Sequence, residues 1–268
     1  MSVLLDPAER LVIAHRGNSM HAPEDTIESL HQGMALGADG LEFDVRLSAD
    51  GVPVLLHDPT LERTTDGTGP VAARTLAELR TLDAGYHFTR DGGRTYPYRG
   101  RGLQIPTLDE ALEAFRGVPC VVELKAPEAT EPFVRAVEAH GAKDRLLIGS
   151  FSQEAHERLE GRGFHVSASK PAITTLFFRS FTPLGAGTVR FQACCVPTVW
   201  KRLPIPVLRI ARMLRTHGIP THCWTINDPR VARRLWDGGV NAILSDDPGT
   251  MLALLGRGPG ASPSAEPR

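Results

Sequence analysis

The sequence predicts an α/β fold, a (β/α)8 barrel with a small inserted subdomain after the hairpin that follows its second strand. Three observations lead there. Short apolar runs alternate with helical patterns along almost the whole chain, the mark of a parallel sheet wrapped by helices. One Asp-Gly pair explains a surplus run as a hairpin arm. Polar residues gather at the ends of the runs, where barrels of this kind place their sites.

The runs lie at 11–14, 40–45, 53–57, 119–124, 146–149, 164–167, 189–193, 220–224 and 241–245. Helical patterns at 25–36, 107–115, 130–140, 152–161, 171–178, 205–217, 228–237 and 248–255 separate them, the first leading from strand one to strand two. Eight parallel strands close such a barrel, so one run belongs elsewhere. Asp50-Gly51 sits between two extended runs, and a two-residue turn there sets Ala49 opposite Val52, Leu47 opposite Val54 and Asp44 opposite His57. The run 53–57 is then the returning arm of a hairpin at the barrel mouth.

Residues 60–105 fit no barrel period and contain Thr64-Thr65-Asp66-Gly67-Thr68-Gly69-Pro70, a short helix pattern at 75–82, and Tyr96-Pro97-Tyr98. They read as a small subdomain capping the mouth. The barrel domain is expected to span 10–255. The stretch 256–268, mostly Gly, Pro, Ser and Ala, reads as a disordered tail.

Composition bounds the function. With 30 basic and 31 acidic side chains the formal charge is −1, which argues against a nucleic-acid binder driven by bulk charge. No apolar run approaches the roughly 18 residues of a membrane span. Asp6, Glu9 and Arg10 interrupt the start, leaving no apolar core for a signal peptide, so the chain is expected to be cytoplasmic. Cys120, Cys194, Cys195 and Cys223 lie in apolar runs without metal spacing and read as reduced, buried thiols.

Glu42 and Asp44, two apart on a strand, leave the same face and alternate with Leu41, Phe43 and Val45. With Glu123 from the neighbouring strand they make three converging carboxylates, whose mutual repulsion calls for a divalent cation. All-oxygen ligands suit magnesium, calcium or manganese better than zinc. His15 and His57, from different elements, suit acid and base work across a cleft. Arg16 and Lys125 supply donors for an anion, and the planar arginine fork suits a phosphate. Asp246 and Asp247 close the last strand, where they either join the site or cap the helix that begins near Pro248, capping being the simpler role. The other histidines read as surface or packing residues, although His222 faces the same way as Trp224.

These residues bring a family into view. The chain resembles the glycerophosphodiester phosphodiesterase family through His15-Arg16-Gly17, Pro23-Glu24-Asp25-Thr26, Gly40-Leu41-Glu42-Phe43-Asp44-Val45, the stretch from His57-Asp58-Pro59 to Thr65, Ile105-Pro106-Thr107-Leu108, Glu123-Leu124-Lys125 and Trp224-Thr225-Ile226-Asn227. The resemblance covers nearly all of 10–255. It implies that Glu42, Asp44 and Glu123 hold a magnesium or calcium ion, that His15 and His57 are the acid/base pair, and that Arg16 and Lys125 hold a phosphate. It further implies that Glu24 belongs to the substrate site and that Trp224 walls the pocket. The implied reaction cleaves a glycerophosphodiester to sn-glycerol 3-phosphate and an alcohol, the glycerol 2-hydroxyl attacking first to give a cyclic phosphate that water opens. Where the family carries asparagine this chain has Asp25, which when ionised accepts hydrogen bonds but donates none.

Other readings stand beside this one. They are a barrel phosphodiesterase for phosphoinositides or sphingolipids, a metal-dependent barrel lyase with Lys125 as base, and a non-catalytic phospholigand-binding module. The stretches 171–184 and 199–215 mix apolar side chains with Lys201, Arg202, Arg209, Arg212 and Arg215. They read either as core-facing helices with solvated rims or as a peripheral contact with an anionic membrane. The membrane reading would make the chain a lysophospholipase D acting on lysophospholipids.

Overall fold

The computed structural model of the chain describes residues 2–258. Its strands are β1 (Leu11–His15), β2 (Gly40–Leu47), β3 (Pro53–Leu55), β4 (Cys120–Leu124), β5 (Leu146–Gly149), β6 (His165–Val166), β7 (Cys194–Pro197), β8 (Val199–Trp200), β9 (Leu203–Pro204), β10 (Thr221–Trp224) and β11 (Ala242–Ser245). The helices are α1 (Ile27–Ala35), α2 (Leu76–Leu79), α3 (Leu108–Ala114), α4 (Thr130–Ala139), α5 (Gln153–Leu159), α6 (Lys170–Arg179), α7 (Val207–Arg215), α8 (Pro229–Asp237) and α9 (Pro248–Leu254).

Eight strands run parallel in the order β6-β5-β4-β2-β1-β11-β10-β7. The two ends of that order meet: Ser167 bridges Ala193 in parallel, and the Ala168 amide donates to the Ala193 carbonyl at 2.8 Å. The sheet thus closes into the (β/α)8 barrel. β3 pairs antiparallel with β2 outside the ring, as a hairpin arm. The sixth barrel strand is β7, Cys194–Pro197, rather than the run at 189–193. The pairing begins only at Ala193, and the small apolar side chains of Cys194 and Cys195 continue it.

Period-two alternation sorts the side chains. Val12, Phe43, Val122, Cys223 and Ile243 pack outward against the helices, while Leu11, Ile13, Val121, Ala242 and Leu244 fill the barrel. Leu4 and Leu5, from a 3₁₀ turn at Val3–Leu5, join that interior layer from below. The fully buried His222 points inward and bonds the Leu4 carbonyl through Nε2 at 2.9 Å, a packing role. Burial pushes its imidazole down to about 4, so it stays neutral.

The hairpin differs from the two-residue turn expected at Asp50-Gly51. Val45 faces Leu55 and Leu47 faces Pro53, and Ser48 and Val52 enclose a three-residue loop whose Gly51 lies at φ +80°. A type I turn completed by a left-handed glycine fits these bonds and shifts the register by one residue. Asp44 therefore stands opposite Leu56, whose amide donates to its carbonyl at 3.1 Å, and His57 lies one step beyond the pairing. Arg46 anchors it there, donating to the His57 carbonyl from Nε at 2.8 Å and Nη2 at 2.6 Å.

Between β3 and α3 the chain builds a small apolar core from Val54, Leu56, Leu61, Val71, Leu79 and Ile105. Arg99 lies between the rings of Tyr86 and Tyr96, 4.1 and 3.7 Å from their centroids, and Gln32 of α1 donates to Tyr98 Oη at 2.9 Å. Of the stretch expected as a tail, 256–258 is described, with Arg257 paired to Asp39 at 2.7 Å. Residues 259–268 lie outside the described residues. No helix among the described residues is long and apolar enough to cross a membrane.

Candidate active site

Strand register assembles the mouth. His15 of β1 is level with Glu42 of β2, and Asp44 of β2 is level with Glu123 of β4. All four alternate with outward-packed apolar residues, so they face the barrel axis at its carboxyl end. Glu42, Asp44 and Glu123 each offer an oxygen within 4.8 Å of the others. After β1 the chain turns through Arg16 at φ 54° and Gly17 at φ 85°. A Cβ on Gly17 would stand 2.3 Å from the Ser29 carbonyl carbon, so this turn requires glycine.

The turn lays the Arg16 guanidinium across the carboxylates, Nε 2.9 Å from Asp44 and Nη1 2.8 Å from Glu24. Lys125 closes the other side, Nζ 2.9 Å from Asp44 and 2.8 Å from Glu123. Burial opposes charge on both cations, but Asp44 and its neighbours outweigh it and hold Arg16 and Lys125 firmly protonated.

The carboxylates fit a divalent cation. Asp44 is 1% exposed, and neither of its oxygens has an aligned hydrogen bond, because Arg16 and Lys125 approach it off-axis. Burial and then the Asp44 charge push Glu42 well above the ordinary carboxylate range. Glu123 is raised by burial, with Lys125 only partly opposing. Two monovalent cations do not neutralise this cluster, and its oxygens retain lone pairs for a hard ion.

The two imidazoles are each held by an aspartate. His57 Nδ1 lies 2.6 Å from Asp58, which accepts from Arg63 Nε at 2.6 Å; Arg63 in turn grips Glu24 at 2.6 and 2.7 Å. One chain of charge thus runs from His57 through Asp58, Arg63 and Glu24 to Arg16. Arg63 and the His57 bond hold Asp58 far below the usual carboxylate range despite burial. Burial lowers the His57 pKa below 6.5, with Asp44 and Asp58 resisting and Lys125 and Arg16 assisting.

His15 Nδ1 lies 2.7 Å from Asp246, leaving Nε2 toward the cavity, 3.7 Å from Glu42. Asp246 also accepts from Ser19 at 2.9 Å and Asn227 at 2.7 Å. Burial acts against its charge, yet these partners hold it at about 2. Asp247 alone caps α9, accepting from the Thr250 amide at 3.1 Å.

The nine side chains named from sequence therefore meet at one mouth. His15, Arg16, Glu42, His57, Glu123 and Lys125 line a cavity of about 120 Å³ with Trp224 as a wall, and Asp44 lies beneath them. Glu24 lines an adjoining opening of about 570 Å³ with Arg16, Phe88 and Arg90, so residues 88–90 form part of the rim. Phe151 extends the wall, 5.0 Å from the Trp200 ring and 6.1 Å from Trp224. Sequence reasoning left Asp246 between the site and a helix cap, favouring the cap, and did not single out Asp58 and Arg63 as supports of His57. The signal for Asp246 was its adjacency to Asp247, because neighbouring residues at a strand end diverge and cannot both cap one helix. Asp25, buried beneath Asp44, accepts from its amide at 3.2 Å. Burial and the charges of Asp44 and Glu24, which Arg16 only partly offsets, push its carboxyl well above the ordinary range.

The class that this fold and mouth define is a (β/α)8 barrel that can grip an anion between two fixed cations and a carboxylate trio. The profile described as the glycerophosphoryl diester phosphodiesterase family matches residues 15–176 and 191–250. A glycerophosphodiester phosphodiesterase of Caldanaerobacter subterraneus subsp. tengcongensis is 31% identical over 256 residues, covering 92% of this chain and 98% of the relative. One from Bacillus subtilis is 30% identical over 263 residues, covering 91% and 86%. An Oleispira antarctica phosphodiesterase solved in complex with the product sn-glycerol-3-phosphate matches at a TM-score of 0.74 and 29% identity, covering 92% of this chain and 97% of that one. This chain belongs to the glycerophosphoryl diester phosphodiesterase family.

Proposed function

We propose that the chain hydrolyses glycerophosphodiesters to sn-glycerol 3-phosphate and an alcohol, with a divalent cation on Glu42, Asp44 and Glu123. The observation that carries this reading is the pair of aspartate-held imidazoles flanking one carboxylate and cation cluster. Family membership and the product-bound relative support it. A magnesium or calcium ion, when bound, supplies Lewis-acid neutralisation of the phosphate charge. Arg16 and Lys125 hold the non-bridging oxygens. His57 donates through Nδ1 to Asp58, which leaves Nε2 as an acceptor; being neutral at physiological pH, it takes the proton of the attacking 2-hydroxyl. His15, oriented by Asp246, delivers a proton from Nε2 to the leaving alkoxide. Water then opens the cyclic phosphate with the two roles reversed. Glu24 fixes Arg16 at the substrate, and Trp224 walls the pocket.

The lyase reading loses its base, because Lys125 is held protonated between Asp44 and Glu123. A binding module has no use for two imidazoles each oriented by an acid. After EDTA treatment, glycerophosphocholine and glycerophosphoethanolamine are expected to release no sn-glycerol 3-phosphate in a coupled assay until magnesium or calcium is restored. Silence with both substrates and both cations would overturn the assignment.

The proton relay has a pH signature. A lowered His57 pKa keeps the base form to more acid pH, so the acid limb of kcat/KM lies below pH 6.5 and activity is lost as pH falls through it. The Asp58 bond raises that pKa, so Asp58→Asn moves the limb further toward acid. It also lowers the plateau about 10²-fold or more, because an amide no longer fixes the tautomer. A pH–rate profile of the variant checks both effects.

A further inference from the structure

From Gly161 to Asn227 the sequence contains nine Lys and Arg and no Asp or Glu, although the whole chain is balanced at 30 against 31. This segment forms one side of the barrel, from β6 to β10 with α6, α7 and the β8–β9 hairpin, and among the described residues only Arg162 and Arg190 at its edge pair with glutamates of neighbouring segments, Glu131 and Glu160. This side also carries five of the eight exposed large apolar side chains among the described residues: Phe178, Phe181, Leu184, Val199 and Leu203. A sixth, Phe151, stacks on Trp200 of the hairpin.

The exposed apolar groups are not the core face of a helix. α7 buries Val207, Ile210, Ala211 and Leu214 against the barrel, so its stripe is already covered. The exposed side chains stand instead on the hairpin, on the end of α6 and on the loop after it. The hairpin leaves the carboxyl end of β7, the side of the mouth, and turns through Lys201 at φ 46° and Arg202 at φ 70°. Two cations thus sit at its tip with Val199 and Leu203 exposed beside them. Arg209, in the first turn of α7, covers the Phe181 ring at 5.0 Å from its centroid. The patch is continuous with the site, since Phe151 also meets Trp224 and α6 contributes Lys170 and Ile173 to the cavity.

Apolar tips ringed by Lys, Arg and Trp, with no carboxylate in the segment, match the interface of an anionic bilayer. Aliphatic and aromatic tips enter the acyl boundary while the cations meet lipid phosphates. Leu184, Val199 and Leu203 offer nothing to stack on or bond a base edge, which disfavours a nucleic acid. We propose that this acid-free side docks the enzyme on an anionic membrane surface through the hairpin tip, Phe178, Phe181 and Leu184, with the mouth turned toward the lipid.

The test is co-sedimentation of the full chain with vesicles of phosphatidylcholine alone or mixed with phosphatidylglycerol, a readout independent of the reaction assigned to the site. Binding is expected only to the mixed vesicles and is expected to fall as salt rises. The double variant Lys201→Glu/Arg202→Glu is expected to weaken it at least about tenfold, since each basic residue near such a surface counts for about a factor of five. Leu203→Ser/Phe178→Ser is expected to weaken it as well, with turnover of glycerophosphocholine unchanged in both. These substitutions lie on exposed tips, and circular dichroism verifies the fold. A wild-type chain that stays in solution with mixed vesicles at low salt, or a charge-reversed variant that binds as wild type does, overturns the proposal. A chain that ignores vesicles but shifts a DNA duplex in the same buffer reassigns the surface to nucleic acid and overturns it too.

Discussion

Replacing His15 or His57 by alanine is expected to lower kcat for a glycerophosphodiester by about 10²–10⁴-fold, the usual share of a positioned proton donor or acceptor. The fold should survive either change. Asp58 keeps Arg63, and Arg63 keeps Glu24, when His57 is removed. Asp246 keeps Ser19 and Asn227 when His15 is removed. Because the two imidazoles act on one proton path, the double variant is expected to lose little more than the worse single one. Steady-state kinetics with matched thermal unfolding checks this. Near-wild-type turnover in both single variants would remove the histidines from the mechanism.

The second large effect concerns the cation. At a hundred times its Kd, a divalent ion stabilises the protein by about 2.7 kcal/mol, or roughly 5–10 °C in Tm for a chain of this size. Glu42→Gln is expected to abolish most of that gain while leaving the metal-free protein as stable as wild type or more so. The amide still accepts the Arg16 backbone N–H that Glu42 Oε2 receives at 3.1 Å, but adds no charge beside Asp44. The sign of the pH dependence follows from the same cluster. Carboxyls whose folded pKa is raised contribute stability below their unfolded pKa and lose it as pH rises through the folded value. Glu42 and Glu123 are raised. Metal-free wild type is therefore expected to lose stability as pH rises above the ordinary carboxylate range, and added magnesium or calcium to flatten that slope. A melt series across pH with and without cation measures both; an equal cation-induced shift in Glu42→Gln and wild type would exclude Glu42 as a ligand.

Much of the site was legible because a strand's pleat is local. Glu42, Asp44 and Glu123 alternate with apolar neighbours, so their common inward direction follows from spacing alone. His57 was legible as a rim residue but not in its placement. A left-handed Gly51 adds a residue to the turn, and Arg46 rather than strand pairing holds His57 at the mouth. The start of β7 was missed because two cysteines carry its pairing where bulkier apolar residues were expected.

By itself the sequence determined the barrel and the inward carboxylates, since each depends on periodicity or strand-end chemistry within a short stretch. Only the tertiary structure decided which acids serve the histidines. Asp246 reaches His15 because closing the barrel sets β11 beside β1, with Ser245 level with Ala14, across a separation of 231 residues. Arg63 reaches Glu24 because the inserted segment folds back over the first turn of the chain. Those contacts arise from ring closure and long-range packing, and no local pattern encodes which distant side chain a closed ring will bring within 3 Å of a histidine.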